Sequence, residues 1–128
     1  MQKLILFVAF FCSASAMCQL AAQSINNKIW TAYIGNPIND TAIFHISSDS
    51  SFITNAKGEV VVRNRCKISG DTLTVMEYGS ENQGCPDVKG TYKINAGDHS
   101  FTLTAINDAC DGRAQAIAGR RWTEATEK

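Results

Sequence analysis

Asp108-Ala-Cys-Asp-Gly-Arg-Ala-Gln-Ala-Ile-Ala-Gly-Arg-Arg-Trp122 is the stretch on which the reading of this chain turns. It holds a cysteine that needs a partner, Cys110, and a Gly119-Arg120-Arg121-Trp122 run able to close a sheet. Between them, Asp111 is a capping residue type, Ala114 to Ala118 is rich in helix formers, and Gly119 is a natural stop. The pattern predicts a helix of about two turns followed by a last strand from Arg120 to Glu124.

Upstream of this stretch the dominant signal is period two between closely spaced turns. The clearest case is Glu59 to Tyr78, where Val60, Val62, Asn64, Cys66 and Ile68 alternate with Glu59, Val61, Arg63, Arg65 and Lys67 before Ser69-Gly70-Asp71 turns the chain back. That is a hairpin with one apolar face and one wet, basic face. Val88 to Asn95 and His99 to Ile106 form a second, with Tyr92, Ile94, Phe101, Leu103 and Ala105 on a common face. Earlier strands are expected at Ile29 to Ile34, Asp40 to Ser47 and Ser51 to Thr54, separated by Gly35-Asn36-Pro37 and Ser48-Asp49-Ser50. About eight short strands joined by tight turns make a meander, which removes its open edges most readily by closing. The fold expected is therefore all-β: a small antiparallel meander barrel of about eight strands with one short helix before the last.

The N-terminus reads as an address. Lys3 gives a positive n-region, Leu4 to Cys12 an apolar h-region, and small residues place cleavage after Ala16 or Ala22. Ala22 is preferred, because Gln23 then begins a polar leader. Residues 1–22 are expected to be a signal peptide and residues 23–128 a single domain, secreted or periplasmic, with no membrane anchor once the leader is removed. Twelve basic residues balance twelve acidic ones, so no net field favours nucleic acid or an anionic membrane. The mature chain is expected to be a monomer.

Cleavage after Ala22 leaves Cys66, Cys85 and Cys110 in an oxidising compartment. Cys85 and Cys110 sit in turn-rich segments that two loops at one end of a sheet would bring together, so these two are expected to pair. Cys66, in phase with Val60, Val62 and Ile68, is expected to be a buried free thiol packing as a small hydrophobe. A bridge involving Cys66 is the alternative.

Taken in order, several pieces resemble the short lipocalin-like proteins that bacteria secrete. They are Trp30 opening the first strand, the Ser69-to-Thr74 turn, Gly90-Thr91-Tyr92, the Asp108-to-Arg113 turn, and Gly119 with Trp122 at the end. The likeness spans Trp30 to Trp122. Lys28 stands where a true lipocalin has glycine two residues before the tryptophan, and the chain is short for that family. The resemblance implies a barrel whose floor is closed by a cation over the first-strand tryptophan, here Trp30 with Arg120 or Arg121. The alternative is that these residues simply belong to the terminal strands.

Catalytic equipment is not visible. His45 and His99 are the two histidines and share no ligand spacing, so no metal site and no cofactor are expected. Aspartates fall in turns, where they cap backbone, and no serine sits in a nucleophile elbow. An enzyme is not expected. The function expected is binding of a small apolar molecule in or at the mouth of the barrel, with Phe44, Val62, Tyr92, Phe101 and Leu103 as candidate ligand contacts. The alternative is a barrel that inhibits a secreted enzyme, a protease or lysozyme, through the leader Gln23 to Lys28 or the Gly79-to-Asp87 loop.

Overall fold

The computed structural model describes residues 24–36, 38–78 and 85–126. The expected signal peptide, Pro37 and most of the Gly79-to-Asp87 loop lie outside the described residues.

Eight antiparallel strands follow one another round a closed barrel. They are β1 (Lys28–Ile34), β2 (Asp40–Ile46), β3 (Ser50–Thr54), β4 (Val60–Ser69), β5 (Thr72–Glu77), β6 (Lys89–Gly97), β7 (Ser100–Asp108) and β8 (Arg121–Glu124). One helix, α1 (Asp111–Ile117), lies between β7 and β8. The all-β meander with a helix before its last strand is the fold expected from the alternation. Element ends fall within three residues of the expected ones, and several coincide. The helix begins at Asp111 with Cys110 as its cap residue, so Asp111 is the first helical residue and not the cap. Beyond Ala118, Gly119 adopts a φ of 70°, the left-handed conformation that ends the helix and that a β-carbon would strain.

Closure rests on β8, which is short but pairs on both sides. Trp30 and Thr31 of β1 face Glu124 and Thr123, while Phe101 and Thr102 of β7 face Trp122 and Arg121. The interior at this end is filled by aromatic rings. Trp30 meets Phe101 edge-on at 4.8 Å, Phe44 meets Trp122 at 5.1 Å, and Phe101 stacks near Trp122 at 6.4 Å. All four are buried, along with Tyr92, Leu73, Val75 and Leu103. Each indole N–H donates to a carbonyl five residues upstream, Trp30 to Ile25 and Trp122 to Ile117, both at 3.1 Å. These bonds satisfy the only polar atom of each ring and tie the leader and the end of α1 to the barrel.

Two β-bulges break the alternation, both at the barrel end that carries α1. Between β3 and β4, Ile53 faces Val62 and Thr54 faces Val60, which leaves Val61 as the extra residue. Between β6 and β7, Tyr92 faces Ala105 and Thr91 faces Asn107, which leaves Ile106 without an opposite residue. Strict alternation places Ala105 on the inner face, but it is exposed because the strand bulges there. The chain beyond the bulge resumes in the other phase.

Trp122→Ala removes a ring held on all sides and is expected to lower unfolding free energy by about 3–5 kcal/mol. Urea denaturation measures this, and a loss below about 1 kcal/mol would show that the rings do not hold the barrel shut.

Candidate functional site

The phase shift in β7 has a chemical result. It sets Asp108 opposite Gly90, on the inner side of the sheet, with its carboxylate wholly buried. A side chain at position 90 would displace the carboxylate: a β-carbon there would clash with Asp108 Oδ2 and lie 3.0 Å from Arg113 Nη2. Glycine is thus required by close approach, and the space it leaves is occupied by an ion pair.

That pair joins α1 to the sheet. Arg113 projects from the first turn of α1, its side chain 4% exposed, and donates from Nε to Asp108 Oδ2 and from Nη2 to Asp108 Oδ1, each at 2.7 Å. Nη2 also donates to the Val88 carbonyl at 2.8 Å. Asp108 accepts from the Tyr92 hydroxyl and, at 2.8 Å, from the Cys110 N–H. A buried carboxylate with this many donors is well compensated. Burial alone would raise the Asp108 pKa, but the Arg113, Tyr92 and Cys110 hydrogen bonds outweigh it and hold the carboxyl below its ordinary value. Burial and the Asp108 carboxylate together push the Tyr92 phenol well above its ordinary value.

Two further buried polar side chains face the same end of the barrel. Glu77, the last residue of β5, accepts from the Cys85 N–H at 2.9 Å, and its other oxygen lies 3.9 Å from Arg113 Nη1. Asn64, opposite Glu77 in β4 and 2% exposed, donates to Ser51 Oγ at 3.4 Å while its Oδ1 has no hydrogen-bond partner. Arg113 Nη1 has none either. The Cys85–Cys110 disulfide closes this end from the side, tying the segment after β5 to the start of α1 as expected. Cys66 is free and buried, and its thiol, pushed up by burial, reaches the Ser47 carbonyl at 3.4 Å.

Between α1 and the β3–β4 edge these groups border an open cavity of about 450 Å³. Its apolar wall is Ile53, Val62, Ala116 and Ile117, and the exposed Ile38 and Val61 extend that wall outward at the rim. Asn64, Glu77 and Arg113 form its polar floor. A larger hollow of about 730 Å³ lies at the opposite end beside Lys28, His99 and Glu124, but its charged groups already pair with one another.

Of the ligand contacts expected from sequence, Val62 lines the mouth cavity. Phe44, Tyr92, Phe101 and Leu103 are packed in the core and do not border it. Trp30 and the C-terminal arginines also divide differently from the expectation. The cation over the Trp30 ring is Lys28, at 5.8 Å. Arg120 instead donates to the carbonyls of Tyr33 and Gln115, bracing β1 against α1, and Arg121 sits in β8 opposite Thr102. The residues the sequence reading passed over are Asn64, Glu77 and Arg113. The first two carried a signal: each is a polar residue in phase with buried neighbours, Asn64 between Val62 and Cys66, and Glu77 after Leu73 and Val75.

Comparison with protein-family models, curated proteins and solved structures returned no match to this chain. Among the described residues no group of three or more His, Cys, Asp or Glu is placed to hold a metal, and no helix is long and apolar enough to cross a membrane.

Asp108→Asn removes the carboxylate hydrogen-bonded to the buried guanidinium, leaving only Glu77 at 3.9 Å, and is expected to cost about 3–5 kcal/mol at neutral pH. The Asp108 carboxyl titrates lower folded than unfolded, so its contribution is full above the ordinary carboxylate pKa of about 3.9 and is lost as pH falls through the depressed value. Thermal melts from pH 6 to pH 2.5 should therefore show a steeper acid decline in the parent than in the variant. Parallel declines would remove Asp108 from the account. Gly90→Ala should cost about 1–3 kcal/mol by forcing the pair from its seat, and an unchanged melting temperature would contradict the close approach.

Proposed function

We propose that the chain is an exported, lipocalin-like binding protein that holds a small, largely apolar molecule at the helix-capped mouth of its barrel, and that it has no catalytic role. The observation that carries this reading is the cavity between α1 and the β3–β4 edge, with Ile53, Val62, Ala116 and Ile117 as its apolar wall. At about 450 Å³ it falls in the size range of small-molecule sites, and its mix of apolar wall and few convergent polar groups is the usual composition of one. The aromatic packing of Trp30, Phe44, Phe101 and Trp122 supports a site at the mouth and not along the axis, because the far half of the barrel is occupied. Export is supported by the Cys85–Cys110 disulfide and by the n-region and h-region pattern of residues 1–22.

Inhibition of a secreted enzyme by the leader gains no support from its geometry. Ile25 is fully buried and its carbonyl is bonded to Trp30, so this part of the leader is docked on the barrel floor and is not free to reach a partner.

Titration with the neutral dye Nile red is expected to give a saturable fluorescence rise with one site per chain. Ala116→Trp, which plugs the cavity from the half-buried side of α1, should weaken it by about tenfold or more at unchanged melting temperature. Non-saturable binding, or equal affinity in the variant, would refute the mouth as a ligand site.

A further inference from the structure

From the polar floor of the mouth we infer the class of head group the ligand carries: an uncharged hydroxyl, on an otherwise aliphatic molecule, and not the carboxylate of a fatty acid. This rests on the reading of the mouth as a ligand site. Two buried atoms at the floor lack hydrogen-bond partners, and they are opposite in kind. Arg113 Nη1 is a donor and Asn64 Oδ1 is an acceptor, and both residues border the same cavity. An unsatisfied buried polar group costs about 1–3 kcal/mol, so a ligand that completes both gains twice. A hydroxyl is the one simple head group that carries both functions, able to accept from a guanidinium and to donate to an amide oxygen.

Charge counts against the alternatives. The floor contains one cation, Arg113, and one carboxylate, Glu77, both buried, while the buried Asp108 that pairs with Arg113 does not line the cavity. Arg113 is already neutralised by two hydrogen bonds to Asp108, so the charge an incoming head group meets is the Glu77 carboxylate. A carboxylate ligand would accept from Nη1 but would leave Asn64 Oδ1 unmet and face Glu77 in a site of low dielectric. An alkylammonium would satisfy Asn64 and Glu77 but would place a second cation beside the guanidinium and leave Nη1 unmet. The tail is accommodated by Ile53, Val62, Ala116 and Ile117, with Ile38 and Val61 at the exit.

The test is displacement of Nile red by three ligands of equal chain length, decanol, decanoate and decylammonium, at pH 7. Decanol is expected to displace the dye at about tenfold lower concentration than either charged partner, the factor that one unsatisfied buried group is worth. Asn64→Leu should shrink the advantage over decanoate to the part that Glu77 supplies and leave the decylammonium gap, which comes from Nη1, in place. Glu77→Gln, which keeps an oxygen for the Cys85 N–H, should narrow the gap between decanoate and decanol by removing the facing charge, leaving the part due to Asn64. Saturable dye binding with all three ligands equal, or with decanoate strongest, overturns the head-group inference and leaves the mouth site standing. Failure of the dye itself to saturate removes both.

Discussion

The buried pair of Asp108 and Arg113 is the constraint from which the rest of this end of the molecule follows. A carboxylate without exposure must be met by a cation and by further donors, and here the cation arrives on a helix. The pair needs Gly90, because any larger residue in β6 would occupy its place. It also needs the bulge at Ile106, because an unbroken β7 would send Asp108 to the opposite face. The Cys85–Cys110 bridge, closing a loop of 25 residues, adds a covalent restraint on the order of 3 kcal/mol in the chain-entropy picture. Helix, glycine, bulge and disulfide are therefore parts of one arrangement that fixes α1 against the barrel mouth.

The two ends of the barrel consequently do different things. Four aromatic rings and the docked Ile25 make the far end a solid core. At the near end, Arg113 ties α1 to Asp108 of β7 and to Val88 just before β6, while at β4 the second bulge leaves Val61 exposed. The cavity lies between α1 and Ile53 and Val62 of the β3–β4 side. A small eight-stranded barrel has too little interior for a ligand along its axis once large side chains fill it. Space at a mouth propped by a helix is the remaining way for such a fold to hold something.

Much of this architecture was legible in the sequence. The alternation of Val62, Asn64, Cys66 and Ile68, with tight turns at regular spacing, carries the meander because side-chain period and burial are tied in a half-buried strand, whereas the bulge at Val61 sends Val60, expected on the same face, to the other. Cys85 and Cys110 declared themselves by lying in turns. The site was less legible, for a definite reason. Bulges shift the phase of a strand by one residue, and nothing in the local composition around Ala105 and Ile106 marks one, so Asp108 reads as a turn residue and not as half of a buried pair. Large apolar residues such as Phe44 and Phe101 attract a ligand-binding reading because they point inward, yet rings of that size fill the space they face. The better signal was the polar residue in an apolar phase, Asn64 and Glu77, which a strand does not bury without a use or a partner.

Amide hydrogen exchange in Arg113→Met, measured beside the parent protein, tests most directly whether the ion pair holds α1 on the mouth. The amides of Cys110, Ala114, Ala118 and Gly119, bonded to Asp108, Cys110, Ala114 and Leu103, are expected to exchange about tenfold faster or more, while those of β1 and β2 keep their protection. Unchanged protection across α1, or a loss spread evenly over the whole barrel, would contradict that role of the pair.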